Sequence, residues 1–401
     1  MKKLAYIDGL KGIGALMVYL CHFVFAFYYA AYSLSPESSH TASGIEIAVG
    51  KTPLNLLYSG NAAVCLFLVF SGFVLCLSYF STRDKRKLGK SARRRYLRLM
   101  PMILMANFLI FILMCLGLYQ NAQTAVITKS EAWFAGFNQF KPEFFRMLYE
   151  SLIGCFLQGS NDYNGVLWTI PYLFWGALLV YLAAYLVGKS RLRYLAYGAA
   201  ILILLKLDIY FSGVFLGFAA SDFFCTQEKG MELWRRFWVL PLAAFVLGVY
   251  LLSYPSIGID MAGTIYGALP PAYTVVYHMA GAVGLLIGVL GLPGLQRFFG
   301  ARAFQFLGDV SYSLYLLHFP IIATFSCWFF LGTHERLGYH LAAGLDFLCT
   351  TALVIAAAWL GKRYLEPVGT VLERSISRML PGGKGQKGLP RQQDEGKDRT
   401  Q

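Results

Sequence analysis

The sequence predicts an all-α, polytopic membrane protein of about ten transmembrane helices, with both termini in the cytoplasm. Three observations predict it. The 401 residues are 57% hydrophobic and 14% charged, where soluble domains run nearer about a quarter charged. Mean hydropathy is +0.54, more apolar surface than one soluble core can hide, because the buried fraction grows slowly with size. Apolar runs of about 20 residues, the length that crosses a bilayer as a helix, recur along the whole chain. Together these exclude an ordinary cytosolic enzyme, a disordered chain and a small disulfide scaffold.

The expected spans are 10–32, 56–80, 99–118, 165–187, 192–206, 208–225, 237–253, 272–292, 305–331 and 340–365. The bilayer core has no water to satisfy an open backbone, so each should be helical. The first is longer than the apolar stretch of a signal peptide and contains His22, so it reads as a retained span. The fifth and sixth are short and divided by Lys206-Leu-Asp208 alone.

Topology follows from the basic residues. The formal charge is +14 and residues 82–98 hold nine Lys and Arg, which places that loop in the cytoplasm. Ten spans then put Met1-Lys-Lys, Lys189–Arg193, Arg235-Arg236, Arg297, Arg302 and the basic tail on the same side, and 33–55, 119–164 and 254–271 outside. The charge therefore reports topology and membrane lipid headgroups as partners, with no nucleic acid. Topology and the lack of a transit peptide suggest a bacterial cytoplasmic membrane, multi-pass. Residues 1–370 form one membrane domain, and 371–401 a basic cytoplasmic tail, disordered from about 381 because it is polar and glycine-rich.

The eight cysteines form no Cys-x-x-Cys pair, and neither a metal site nor a tightly bound cofactor is signalled. The outer stretch 119–164 carries Trp133, Phe134, Phe137, Phe140, Phe144 and Phe145. These rings are expected to anchor at the interface, and so long a loop could also roof a cavity.

Polar residues inside spans carry the functional signal, since a charge at mid-bilayer is costly unless it faces an interior cavity. Lys11 and His22 are eleven residues apart, about 20° around a helix and about 16 Å along it. Asp8 shares that face with Lys11. One helix thus presents a charged pair at its cytoplasmic mouth and an imidazole deeper in, suited to general-base chemistry. The alternative is a charge pair at a helix start and a histidine bonded to a neighbouring helix. Arg95 and Arg98, at i and i+3 at the cytoplasmic surface, offer forks that match phosphate oxygens, or else mark topology. Ser311, Tyr315 and His318 form a polar stripe at i, i+4 and i+7, either a cavity wall or a seam between helices. Pro320 just beyond frees a backbone carbonyl. His278 reads as a satisfied packing histidine.

The segments IDGLKGIGALMVYLCHF, RRRYLRLMP and FLGDVSYSLYLLHFP resemble the membrane-bound acyltransferase 3 family, ten-span proteins that O-acylate carbohydrates and related acceptors. Lys11-x10-His22 is similar to the family's Arg/Lys-x10-His, Arg95-x-x-Arg98 to its Arg-x-x-Arg, and Ser71-Gly-Phe73 to its Ser-Gly-Phe; the resemblance covers about residues 4–370. It implies an integral-membrane O-acyltransferase that uses cytoplasmic acyl-CoA, with acetyl-CoA the first expectation, as co-substrate. Arg95, Arg98 and Lys11 are expected on the donor's phosphates, and His22 as the base, with Asp8 and Lys11 beside it in the catalytic set. Ser71, Trp168, Tyr315 and His318 are expected to line the side of a carbohydrate or lipid-linked glycan acceptor. The sequence departs from the family at Leu167-Trp-Thr-Ile-Pro-Tyr-Leu173, where Leu173 stands in place of a glutamate. The alternatives are a non-catalytic transporter or flippase of a lipid-linked glycan, and an acyltransferase for a small secondary metabolite.

Overall fold

The computed structural model describes residues 4–379, apart from 258 and 260. Ten helices occupy the ten expected places: α1 (Ala5–Phe27), α2 (Gly60–Leu75), α3 (Arg86–Cys115), α4 (Ile170–Val187), α5 (Arg193–Leu207), α6 (Ile209–Thr226), α7 (Val239–Leu252), α8 (Thr274–Gly291), α9 (Arg302–Ile321) and α10 (Tyr339–Leu360). No strand occurs among the described residues.

Among the described residues, eight helical segments are long and apolar enough to cross a membrane. A ninth results if Glu228–Arg236 and Val239–Leu252, which meet at 82°, count as one span. The expected fifth span is the shortfall. α5 has 15 residues, about 22 Å at 1.5 Å each, against a hydrocarbon core of about 30 Å.

Helix bounds move where charge is accommodated. α1 starts at Ala5 and takes in Asp8 and Lys11, five residues before the expected start. α3 begins at Arg86, so Arg95 and Arg98 lie on its third and fourth turns rather than in a loop, and Pro101 sits inside it. The boundary expected at 370 falls inside a last helix, Glu366–Met379. Met1-Lys-Lys and the tail from 380 lie outside the described residues.

The loops expected in the cytoplasm meet at one end. Asp222, fully buried at the end of α6, takes Arg193 Nε at 2.6 Å and Arg83 Nη2 at 3.8 Å. Arg83 also donates to the Gly188 carbonyl at 2.8 Å. Three loops are joined there by one carboxylate.

The main core lies among α1, α2, α3, α8 and α9. α1 and α9 cross closely. A methyl group at Gly12 would press on Leu307 and the Gly308 backbone, and one at Gly308 would meet the Asp8 carbonyl. The helices run parallel from that point, so residues ten further along each face one another. These are His22 and His318.

Beyond α9 the chain runs through a π-helical turn, Ile322–Ser326, into Cys327–Leu337. The outer stretch 119–164 folds against this half of α9. Asn121 Nδ2 holds the carbonyls of Phe134 (2.7 Å) and Phe137 (3.0 Å). Glu150, buried, accepts from the backbone N–H of Asp162 (3.0 Å) and Tyr163 (3.1 Å) and from Asn107 Nδ2 (3.2 Å). The two expectations for the aromatic rings divide. Trp133, Phe134 and Phe137 pack inward on Phe319, while Phe145 is 83% exposed and suits an anchor.

Candidate active site

A cavity of about 150 Å³ lies between α1, α2, α3, α4 and α9. Its polar lining is supplied by Lys11, Ser71, Arg95, Thr169, Ser311, Tyr312 and Tyr315, so two of the three stripe residues, Ser311 and Tyr315, stand on the cavity wall. Val64, Phe67, Leu68 and Leu173 make the apolar wall. A charged mouth and a narrow apolar body suit an elongated ligand with an anionic head.

Each polar group is placed by a local device. Lys11 pairs with Asp8 at 3.8 Å, one turn earlier on α1. Arg95 turns inward and donates from Nε (3.1 Å) and Nη2 (2.8 Å) to the main-chain carbonyl of Leu173. The position that departs from the family thus still meets Arg95, through its backbone, while its side chain lines the cavity. Arg98, one turn further along α3, is exposed and is not brought together with Arg95 on the cavity wall. Ser71 faces the cavity because Gly72, beside it, lies against the Val214 carbonyl, where a methyl group would not fit. Tyr315 donates to the Val166 carbonyl at 2.8 Å and shares a hydrogen bond of 2.8 Å with Thr169 Oγ1. Trp168, next to Thr169, turns the other way and packs on Tyr172 and Tyr210, with centroids 6.1 and 5.4 Å away.

Phe67 and Tyr315, in edge contact at 5.9 Å, close the inner end. His318 lies one helical turn beyond Tyr315, fully buried. His22 Nδ1 is 2.7 Å from His318 Nε2, and His318 Nδ1 is 3.0 Å from the Leu314 carbonyl. The two imidazoles are nearly parallel, at 14°. His22 is half-buried, with Trp133 stacked at 5.5 Å and Phe319 edge-on at 5.4 Å. His318, expected on the acceptor side, therefore stands behind His22 with its polar atoms engaged. His278 has both nitrogens bonded, to Asn61 (2.8 Å) and the Tyr254 carbonyl (2.8 Å), as a packing histidine should.

The sequence reading did not pair the two histidines. The signal was present: His22 follows Gly12 and His318 follows Gly308 by the same ten residues. It also missed Thr169 and Phe67, which only the packing of α2 and α4 against α9 identifies.

Fold and site define a multi-pass, all-helical membrane protein with a basic cavity at one end and a histidine pair deeper in. The chain belongs to the acyltransferase 3 family: the family's acyltransferase domain matches residues 4–363. It is an acyltransferase, and membership selects the enzyme over the transporter. It is 25% identical to acyltransferase clz18 of Cochliobolus lunatus, over 90% of this chain and 93% of that one. It is 26% identical to O-acetyltransferase PaAT-1 of Phomopsis amygdali, over 80% and 72%. It is 25% identical to acyltransferase MdmB of Streptomyces mycarofaciens, over 94% and 92%. No solved structure matches the chain.

Proposed function

We propose that the protein transfers an acyl group, acetyl in the first instance, from cytoplasmic acyl-CoA to a hydroxyl of a carbohydrate acceptor such as a lipid-linked glycan or cell-surface polysaccharide. The membrane is read as a bacterial cytoplasmic membrane. The observation that carries the reading is the axis from Lys11 and Arg95, through the cavity, to His22. The charged end suits the donor's phosphates, and the apolar body suits its thioester arm, which reaches His22 once Phe67 and Tyr315 part. His22 takes the proton of the acceptor hydroxyl as its oxygen attacks the thioester carbonyl. The carbon–sulfur bond breaks, and the CoA thiolate leaves with the proton that His22 returns. Leu173 adds no charge beside Arg95, which leaves the positive charge and the Nη1 hydrogens of that guanidinium to the donor, while Nε and Nη2 hold the Leu173 carbonyl.

A small secondary metabolite as acceptor is a second reading. The surface over His22 is aromatic, made by Trp133 and Phe319, and a compact apolar ring system suits it as well as the face of a sugar does.

The test is mass spectrometry of surface glycans and extracted metabolites from cells with the gene, without it, and with His22→Ala. Loss of the base should lower kcat by about 10²–10⁴-fold, with the protein still in the membrane. An acetyl mass that vanishes in both strains names the acceptor class. Unchanged product from His22→Ala would sink the role of His22.

A further inference from the structure

His318 is fully buried in α9, and both its ring nitrogens face polar atoms. The Leu314 carbonyl, 3.0 Å from Nδ1, can only accept. The proton of a neutral His318 is therefore on Nδ1, and Nε2 is a bare lone pair. That lone pair lies 2.7 Å from His22 Nδ1. Two lone pairs cannot approach so closely, so His22 Nδ1 must carry a proton and donate it. His22 Nε2 is then the lone pair. It makes no hydrogen bond among the described residues, on a half-buried ring beneath Trp133. A doubly protonated His318 would reverse the pair, but it would bury a charge whose aromatic neighbours, Tyr19, Tyr315 and His22, supply no carboxylate.

We propose that His318 is a positioning residue for acyl transfer: its Nε2 accepts from His22 Nδ1–H, fixes the tautomer and ring plane of His22, and leaves His22 Nε2 as the basic atom. This rests on the reading of His22 as the base. His318 fills the role that a carboxylate fills in the Ser-His-Asp arrangement, but as a neutral ring. When His22 Nε2 takes the acceptor's proton, the new positive charge is shared along the chain His22 Nδ1–H to His318 Nε2, and His318 Nδ1–H to the Leu314 carbonyl. No proton needs to leave His318. The parallel crossing at Gly12 and Gly308 and the Leu314 carbonyl hold the geometry before substrate binds.

The first measurement is the ¹⁵N spectrum of histidine-labelled wild-type protein in detergent micelles, with His22 assigned by its loss in His22→Ala. The expected signal is the neutral tautomer with the proton on Nδ1; a proton on Nε2 overturns the proposal, whatever any variant does. The second measurement compares His318→Gln with His318→Leu in purified protein. The glutamine oxygen reaches about the place of Nε2 and still accepts, so kcat should stay within about tenfold of wild type. Leucine cannot accept, so kcat should fall about 100-fold with KM for both substrates unchanged. Equal losses in the two variants, or a raised acceptor KM at unchanged kcat in His318→Leu, overturn the positioning role and return His318 to the substrate wall. His22→Ala run alongside separates the two failures. If it stays active, the base reading falls; if it is dead while His318→Leu is fully active, the positioning role alone falls.

Discussion

The carbonyl of Leu316 has lost its helical donor, because residue 320 is a proline and has no N–H. Asn164, from the outer stretch, supplies the missing donor at 2.9 Å. A free carbonyl within the polar stripe was legible from Pro320; its partner, 152 residues away, was not. Glu150 shows the same economy. It is 2% exposed, and burial pushes its carboxyl up to about 7. A carboxyl raised in the folded state contributes stability that is fully present below its unfolded pKa and lost as pH rises through the folded value. The window is thus about 4.5 to 7, and the size about 3 kcal/mol at 1.36 kcal/mol per unit. We expect wild-type melting temperature in detergent to fall across that window. Glu150→Gln should flatten the dependence, and an equally steep profile in the variant would remove Glu150 as its source.

At the scale of elements, the site is made by one helix crossing. α1 and α9 touch at Gly12 and Gly308, and ten residues on, about 15 Å at helical rise, they present His22 and His318 to each other. A methyl group at Gly12 should cost about 1–3 kcal/mol of overpacking. It should also separate the rings enough to lower acyl transfer by about 100-fold. Gly89→Ala is the control, since that position on α3 meets open space, and it should leave both quantities unchanged. Thermal unfolding and donor turnover, measured on both variants, check the expectation. α3 contributes the other half of the site. Its start at Arg86 turns Arg95 into the bundle and Arg98 outward, two arginines that share a motif and meet different surroundings.

Over the whole molecule, the basic loops do more than report topology. Asp222 binds Arg193 and Arg83 where three cytoplasmic loops meet, and it is buried, so its loss would leave two cations without their counter-charge. Asp222→Ala should destabilise the protein by about 3–5 kcal/mol, seen as an earlier thermal transition in detergent. Acyl-transfer kcat, assayed well below that transition, should stay near wild type, because the clamp lies apart from the cavity. Loss of kcat with no change in stability would mean that the loop end takes part in the reaction.

The sequence by itself determined the class of fold, the places of the ten helices, the basic side and the face of α1 that Asp8 and Lys11 share. Those properties follow from periodicity, hydropathy and charge, which act over one helix at a time. It did not decide that α5 falls short of a full span, that Trp168 turns away from the cavity, or that Trp133 covers His22. Nor did it show that His318 lies against His22, 2.7 Å from its Nδ1. These depend on which helix packs against which, and at what height. The close approach at Gly12 and Gly308 sets that height. An imidazole on a helix face becomes a base with a defined tautomer only when a second helix brings an acceptor to its other nitrogen.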